Sequence, residues 1–377
     1  MRVAVMMRAI DQDSGLHSYV DGLVEEMIRI GPEHEYLLLY RTDRFLGRFA
    51  EQPNVKEVLV RAPHKFLWDQ VAVPWVAWRE HADVIFHPKF SVPLISSCPV
   101  TMGIQPPDWF AWPQHYEWFD AFYMRLMLPF YIRKSSYLFP MSQFNLDETK
   151  KYVRADYSNV TVTYTAPARH IRRVDDRALL DPFRQKYNLP ERYILGLARV
   201  GHVGLDGSGT FYEGKNVETT VRAFIEVRDR IPQDLVLTGF RVREYLEYKG
   251  FRGSDFDRIH IVGFLPYEEI PYIYSLADLV LIPSFYEGTS ITLMEAMACG
   301  CPVVASTGGA CPEIAGGAAL LGDPNNPSDF AAKIVQVLSD ESLRESMRQK
   351  GLARAAFFTW EMVARLTLEG LARAARR

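Results

Sequence analysis

The chain has 377 residues, of which 48% are hydrophobic and 24% charged, a composition typical of a globular protein that buries a sizeable core. On length alone we expect two domains. Its 43 lysines and arginines against 46 aspartates and glutamates give a net charge of −3. This balance argues against a dedicated nucleic-acid binder, which would need a field that holds a polyanion, and it favours small-molecule ligands.

The chain carries no pattern of a secretion signal, and no run of about 18 apolar residues predicts a spanning helix. Three of the four cysteines lie within thirteen positions, but no histidines accompany them at zinc-ligand spacing. We therefore expect reduced thiols in a cytoplasmic protein.

In the first half of the chain, short apolar runs alternate with stretches of helical periodicity. The predicted strands are Met1–Met7, Glu35–Tyr40, Val55–Val60, Val84–His87 and Val100–Ile104, and the predicted helices include Ser18–Ile30 and Glu117–Ser135. Strands that alternate with helices predict a parallel sheet covered on both faces.

Aromatic residues concentrate between residues 68 and 139, where six of the seven tryptophans lie between Trp68 and Trp118. One interpretation is that long helices pack aromatic faces into a core. The other is that residues 109–139 form an acceptor cleft or a patch that makes peripheral contact with the inner face of a membrane, with basic residues at its margin.

A second, more regular series of strands and helices begins near residue 193. The predicted strands are Tyr193–Leu197, Leu235–Thr238, Ile259–Val262, Ala277–Pro283 and Pro302–Ser306, and the predicted helices are Val217–Arg230, Ser290–Cys299, Ser328–Leu338 and Glu341–Ala356. The two series predict an α/β protein with two Rossmann-like domains that face one another across a cleft. We expect residues 1–167 to form the first domain, residues 168–359 the second, and helix 360–377 to pack back on the first.

The segment Ile282–Ser306 predicts an anion site, because a strand ends, a loop carries Glu287 and Gly288, and a helix starts near Ser290. Gly288 allows close backbone approach, and the exposed N–H groups of the helix N-terminus favour a phosphate. Glu295 can line the same wall as Glu287, so two carboxylates next to the anion site would accept hydrogen bonds from sugar or ribose hydroxyls.

The E-x7-E segment from Glu287 to Glu295, followed by AMACGCPVVA, resembles the signature of retaining GT-B glycosyltransferases of the family 4 type. Other landmarks of this family follow in the expected order: Arg199, Lys215-Asn216, Gly263-Phe264, Gly308–Glu313 and Asp323-Pro324. The first half matches more loosely, through Ser14-Gly15 and the strand at Val84–His87.

The resemblance implies a nucleotide-sugar donor as substrate, with no cofactor and no metal. It implies that Arg199 and Lys215 bind the donor diphosphate, that Glu287 holds sugar hydroxyls and that Glu295 holds the ribose. Further donor contacts are implied for Gly15, Gly263, Phe264, Gly288, Thr289, Ser290 and Ile291.

Two departures from the family pattern stand out. A glycine-rich insertion, residues 200–214, separates Arg199 from Lys215. Many relatives carry a His-Asp pair after the strand that corresponds to Val100–Ile104, whereas here we place Gln105 at the histidine position; glutamine can hydrogen-bond a sugar hydroxyl but cannot titrate. His87, at a strand end, is a second candidate for the acceptor side, although a structural histidine is the simpler interpretation.

The D-x-D triplets Asp11–Asp13 and Asp255–Asp257 are compatible with a metal-dependent site, but roughly one such triplet is expected by chance, so they carry little weight. The expected activity is transfer of a sugar, from a GDP- or UDP-sugar, to a glycan, lipid-linked or small-molecule acceptor in polysaccharide or glycoconjugate synthesis. Two alternatives stay open: an epimerase or phosphorylase of the same fold, and a non-catalytic scaffold that binds a nucleotide sugar. The sequence does not predict the oligomeric state.

Overall fold

A computed structural model describes residues 1–11, 15–113, 116–198, 200 and 213–376 of the chain. The described residues form twelve strands: β1 Arg2–Met6, β2 Glu35–Tyr40, β3 Val55–Leu59, β4 Val84–His87, β5 Val100–Ile104, β6 Tyr137–Pro140, β7 Tyr193–Leu197, β8 Asp234–Thr238, β9 Ile259–Gly263, β10 Leu279–Ile282, β11 Val303–Ser306 and β12 Leu320–Gly322.

The helices are α1 Gly15–Ile30, α2 Lys65–Leu67, α3 Val73–Arg79, α4 Asp108–Ala111, α5 Trp118–Lys134, α6 Gln143–Tyr152, α7 Arg177–Lys186, α8 Val217–Val227, α9 Val242–Tyr248, α10 Ile270–Leu276, α11 Ile291–Ala298, α12 Cys311–Ala315, α13 Pro327–Ser339, α14 Glu341–Ala355 and α15 Trp360–Ala375. A π-helical turn, Trp68–Ala72, joins α2 to α3. None of the described helices is long and apolar enough to span a bilayer.

The chain divides into two compact units, Met1–Ala166 with Thr359–Arg377 and Pro167–Phe358. Each unit contains one parallel sheet of six strands, in the order β3-β2-β1-β4-β5-β6 in the first unit and β12-β11-β10-β7-β8-β9 in the second. These two sheets, with helices packed against them, confirm the predicted α/β class.

In the first unit, alternate residues of each strand pack into two different cores because successive side chains point to opposite faces of a sheet. Val3 and Val5 of β1 face a core shared with α1 and α15, whereas Ala4 and Met6 face a core shared with α3 and α5. The strands are buried on both faces, which explains why they are continuous apolar runs rather than alternating patterns.

The aromatic segment 109–139 contains both buried and exposed side chains. Tyr131 and Phe139 are fully buried in the cores of the first unit. Trp118, Phe122 and Phe130, by contrast, are each at least half exposed. The same helix α5 therefore contributes to the core on one side and presents large apolar side chains to solvent on the other.

The predicted helix boundaries are close to the observed ones, with differences that have local causes. The predicted helix Ser290–Cys299 is α11, which begins at Ile291 because Ser290 adopts a left-handed conformation (φ 44°) as the N-cap. Helices α2 and α3, with their π-helical junction, were not predicted, since their tryptophans and Pro74 obscure the helical period.

Candidate functional site

The sheet of the second unit has a topological switch point between β7 and β10. The chain runs from β7 outward through β8 and β9 on one side and then returns to β10, β11 and β12 on the other. The loops that follow these two neighbouring strands diverge, which leaves a crevice at their carboxyl ends where open α/β sheets bind ligands.

Glu287 and Lys215 meet at this crevice. Lys215 lies just before α8, and its Nζ is 2.6 Å from Glu287 Oε1 in the loop after β10. Ser284 Oγ donates to the same carboxylate oxygen at 2.7 Å. Both members of the ion pair are largely buried, so their positions are set before any ligand arrives.

Glycines of the segment Gly308–Glu313 support the loop that carries Glu287. Gly309 has a φ of +62°, and a Cβ there would lie 2.4 Å from the backbone nitrogen of Glu287. A Cβ on Gly308 would lie 2.5 Å from the carbonyl oxygen of Phe285. The Ala310 N–H donates to the Glu287 carbonyl at 2.8 Å. Only residues without a side chain allow the two loops to pack this closely.

Asn216 fixes Lys215 relative to the strand ends. Its Nδ2 donates to the carbonyl oxygens of Pro283, at 2.9 Å, and Pro324, at 2.7 Å. Its Oδ1 accepts from the Thr219 N–H as the N-cap of α8. The buried side chain of Asn216 therefore joins three segments that are far apart in sequence: the start of α8, the end of β10 and the Asp323-Pro324 pair.

Glu295, on α11, is buried below the same crevice. Tyr267 Oη donates to its Oε1 at 2.8 Å, and Tyr274 Oη lies 3.3 Å from its Oε2. Burial raises the pKa of Glu295 to about 7, although the two tyrosine hydroxyls and the charge of Lys215 oppose the shift. Sequence reasoning missed both tyrosines, because they belong to a different strand-to-strand connection and carry no motif.

The first turn of α11 faces the loop of Glu287. Thr289 and Ser290 are buried, and Ser290 Oγ has no hydrogen-bond partner among the described residues. The backbone N–H groups of Ser290, Ile291 and Thr292 start the helix and therefore have no acceptor within it. With Gly288 next to them, these groups form an anion-binding geometry at a helix N-terminus.

Gly263 and Phe264 lie at the carboxyl end of β9, two strands away from β7 and thus about 10 Å from the switch point. Gly263 has a φ of +74°, and its carbonyl accepts from the Gly239 N–H at 2.7 Å. A concavity here is lined by Gly239, Arg241 and Gly263 among others, and Phe264 is 82% exposed. The structure links this loop to the central residues through Tyr267, which contacts Glu295.

Two of the residues predicted from the sequence lie outside the described residues or at their edge. Arg199 and most of the insertion, residues 201–212, lie outside the described residues. Gly15 begins α1, and the preceding residues 12–14 also lie outside them.

In the first unit, polar side chains gather at the carboxyl ends of β1 and β4, which flank the switch point of that sheet. Arg8 Nη2 is 3.2 Å from both Asp69 Oδ2 and Ser91 Oγ, and Ser91 Oγ donates to Asp69 at 2.9 Å. His87 is fully buried, its Nδ1 lies 2.7 Å from the Ser91 carbonyl, and burial together with the charge of Arg8 lowers its pKa well below the usual range. His87 is therefore neutral, and its contact with the Ser91 carbonyl stabilises the loop that follows β4.

Gln105 follows β5 at the same edge of the sheet. It is more than nine-tenths buried, and its Nε2 has no hydrogen-bond partner among the described residues. Lys89 follows β4, and burial lowers its pKa to about 8, with Arg8 and Lys65 adding repulsion. This edge therefore places the amide donor of Gln105 on the same side of the sheet as the cations Arg8 and Lys89.

The described residues contain no group of three or more His, Cys, Asp or Glu side chains that could hold a metal ion. Of the D-x-D triplets, Asp11 accepts from Thr42 Oγ1 and Asp255 accepts from the Arg252 N–H, so both have partners in the fold, whereas Asp13 lies outside the described residues. The four cysteines are unpaired, and three of them are buried.

Comparisons with known proteins agree with this geometry. The family of glycosyl transferases group 1 matches residues 207–340. The chain is 31% identical over 328 residues to the O-antigen chain mannosyltransferase B of Escherichia coli, which covers 84% of this chain and 80% of that protein. It is 25% identical over 262 residues to the serotype-specific mannosyltransferase WbdA of the same organism, but spans only 31% of that longer protein.

Among solved structures, the protein HepE of Anabaena in complex with UDP and glucose is similar over 99% of this chain and 100% of its own, with a TM-score of 0.72 and 16% identity. This likeness confirms the GT-B fold predicted from the sequence. The 31% identity over most of both chains to the mannosyltransferase shows the family: this chain belongs to the group 1 glycosyltransferases, which here have the GT-B fold.

Proposed function

We propose that the protein transfers a hexosyl group from a nucleoside diphosphate sugar to an acceptor hydroxyl, with retention of the anomeric configuration and without a metal ion. The observation that carries the proposal is the ion pair of Lys215 and Glu287 at the switch point of the second sheet, directly beside the N-terminus of α11. The cation and the helix N-terminus match the diphosphate of such a donor, and the carboxylate next to them matches the hydroxyls of its sugar.

The diphosphate is the leaving group, so negative charge grows on it as the bond to the sugar C1 breaks. Lys215 Nζ and the N–H groups of Ser290 and Ile291 would stabilise this charge because they are already oriented in a largely buried site. Glu287 holds Lys215 in place at 2.6 Å and would accept hydrogen bonds from the hydroxyls of the transferred sugar. Arg199 is proposed as a second cation on the diphosphate, on the strength of the sequence alone.

We assign the donor ribose to Glu295, because an ionised carboxylate can accept hydrogen bonds from both hydroxyls of a diol. The Tyr267 and Tyr274 hydroxyls orient this carboxylate. The loop of Gly263 and Phe264 would then contact the base through its backbone and the exposed ring.

For retention, we propose that the acceptor hydroxyl attacks on the face from which the diphosphate leaves, and that a diphosphate oxygen receives the acceptor proton. The edge of the first sheet would hold the acceptor, with Gln105 Nε2 donating to a hydroxyl and Lys89 and Arg8 close by. Gln105 does not titrate, so it would position a group rather than move a proton. The acceptor is a glycan, a lipid-linked sugar or a small molecule of polysaccharide synthesis.

Two donors should be tested first. The relative that matches 84% of the chain is named a mannosyltransferase, which supports GDP-mannose as the donor. The similar solved structure contains UDP and glucose, which supports UDP-glucose. We expect one of them to give a product with octyl glycosides as acceptors, with release of the nucleoside diphosphate and with undiminished yield in the presence of a chelator. The one-bond C1–H1 coupling at the anomeric centre of the product reports retention for mannosides as well as for glucosides.

The same assay separates the alternatives. Release of nucleotide without an acceptor, or a new free sugar nucleotide, would favour an epimerase or phosphorylase. Tight nucleotide binding without turnover of any donor would favour a scaffold. Loss of transfer on chelation would contradict the metal-independent mechanism, whereas an inverted product would contradict attack from the leaving-group face.

A further inference from the structure

The first unit presents an apolar surface that neither of its cores explains. On α5, the side chains of Trp118, Phe122, Leu126 and Phe130 recur every four residues and therefore form one stripe along the helix. All four are at least half exposed, Trp118 to 78%. The core-facing side chains of the same helix, such as Leu128 and Ile132, lie on the opposite side.

A second stripe follows the helical segment 65–79. Val71, Trp75 and Trp78 are each more than half exposed. Trp75 and Trp78 are three residues apart on α3, which places them on one face of that helix, and Val71 lies in the π-helical turn before it. Phe66 and Leu67 extend this face toward the start of α2. The tryptophan between them in sequence, Trp68, is fully buried, so the exposure of its neighbours is a property of the helix face and not of a loosely packed segment.

The two stripes belong to one side of the first unit. Residues of α3 and of α5 pack into the same core on the same face of the first sheet. Lys65, the first residue of α2, has its Nζ 3.6 Å from Asp120 Oδ1 in the first turn of α5 and 5.8 Å from the centre of the Tyr123 ring. Summed over both stripes, the exposed side chains present apolar surface on the order of 1,000 Å².

Basic side chains border this surface. The two segments, 65–79 and 117–134, carry five exposed cations and two exposed carboxylates, Glu117 and Asp120. The cations are Lys65, Arg79, Arg125, Arg133 and Lys134. The guanidinium of Arg79 stacks over the Trp75 ring at 4.9 Å, and Arg133 and Lys134 occupy the C-terminal end of the exposed face of α5.

Helix α5 contains no Ser, Thr, Asn or Gln, so its exposed face consists of large apolar side chains and charged groups. Tryptophan and phenylalanine on a helix face with lysine and arginine at its border are the composition that inserts into the headgroup region of a bilayer, where the rings bury and the cations meet lipid phosphates. We propose that the stripes on 65–79 and α5 form a membrane-docking surface that binds the face of an anionic lipid bilayer. This surface is independent of the proposed transfer reaction.

The test is co-sedimentation of the full chain with vesicles of phosphatidylcholine, with and without phosphatidylglycerol. We expect binding that increases with the anionic lipid and decreases with salt. The triple variant Trp75→Ser, Trp118→Ser and Phe122→Ser should bind about tenfold more weakly or worse at every composition, since burial of three aromatic rings is lost. These side chains are exposed, so thermal unfolding should stay close to that of the parent.

A matched control changes three exposed apolar residues of the second unit, Leu179→Ser, Tyr248→Ser and Phe357→Ser, and should leave vesicle binding unchanged. The variant Arg133→Gln, Lys134→Gln should lose only the preference for phosphatidylglycerol. Absence of binding to any vesicle would overturn the proposal. So would a parent chain that is dimeric in solution and becomes monomeric in the triple variant with no effect on vesicles, because the surface would then join two copies of the chain.

Discussion

The buried carboxyl group of Glu295 should make the stability of the protein depend on pH in a predictable direction. Its pKa is raised from an ordinary 4.5 to about 7 in the folded chain because it is buried. Between these two values the folded state keeps a proton that the unfolded state has released. The free energy of unfolding therefore decreases as pH rises from 4.5 through 7, and the contribution is present in full only below 4.5.

The size of the effect follows from the shift. The difference between a pKa of 4.5 and one of about 7 corresponds to about 3.5 kcal/mol, at ~1.4 kcal/mol for each factor of ten in the proton affinity. The variant Glu295→Gln keeps the volume and an acceptor for Tyr267 but does not titrate. Relative to this variant, the parent should lose about 3 kcal/mol of unfolding free energy between pH 4.5 and about 7.5.

Chemical denaturation of both proteins across this pH range measures the difference. Glu345→Gln, which changes an exposed carboxylate on α14, is the control and should leave the profile of the parent unchanged. A difference between parent and Glu295→Gln that stays constant within about 1 kcal/mol over the range would refute the reasoning. If Glu295 holds the ribose as a carboxylate, nucleotide affinity should in addition weaken as pH falls below about 7 in the parent and not in the variant.

Three further substitutions test the parts of the site. Gly309→Ala should reduce turnover at least about tenfold, because the new Cβ would displace the backbone of Glu287. Turnover equal to that of the parent, or a crystal structure of the variant in which this backbone has not moved, would contradict the contact. Asn216→Ala should lower the unfolding free energy by about 3 kcal/mol, through loss of two buried hydrogen bonds and the N-cap. The control Asn325→Ala, at an exposed position, should change it by less than about 1 kcal/mol, and equal losses in both would count against the assignment. Gln105→Ala should raise KM for the acceptor without changing donor affinity, and a changed donor Kd with an unchanged KM would place the residue elsewhere.

Much of the fold could be predicted because the strands of both sheets are buried on both faces and so stand out as apolar runs. The E-x7-E segment and Lys215-Asn216 could be found for a different reason, since short motifs preserve local geometry at a helix N-terminus. The contacts of Tyr267 and Tyr274 with Glu295 could not be found, because they join segments about 20 to 30 residues apart that only the tertiary structure brings together.

The sequence also did not predict which aromatic side chains are exposed to solvent. Trp68, Trp75 and Trp78 lie within eleven residues of one another, and their side chains are equally apolar, but Trp68 is buried and the other two are more than half exposed. The π-helical turn at Trp68–Ala72 changes the angle between successive side chains, so the 3.6-residue period does not predict which face is buried. For this reason the sequence did not predict which aromatic side chains of the segment are buried and which are exposed, and the structure contains both kinds.

The most direct test of the proposed role of Lys215 on the diphosphate is the turnover of Lys215→Gln, measured as release of nucleoside diphosphate from the donor that the parent accepts. Lys186→Gln is the matched control, because Lys186 forms an ion pair of the same length, 2.6 Å, with Glu269 on the surface of the same unit. If Lys215 stabilises the departing diphosphate, its variant should lose about 10²- to 10³-fold in kcat, and the control should stay within about twofold of the parent. Turnover of Lys215→Gln equal to that of the control, in a folded protein, would contradict the proposed site.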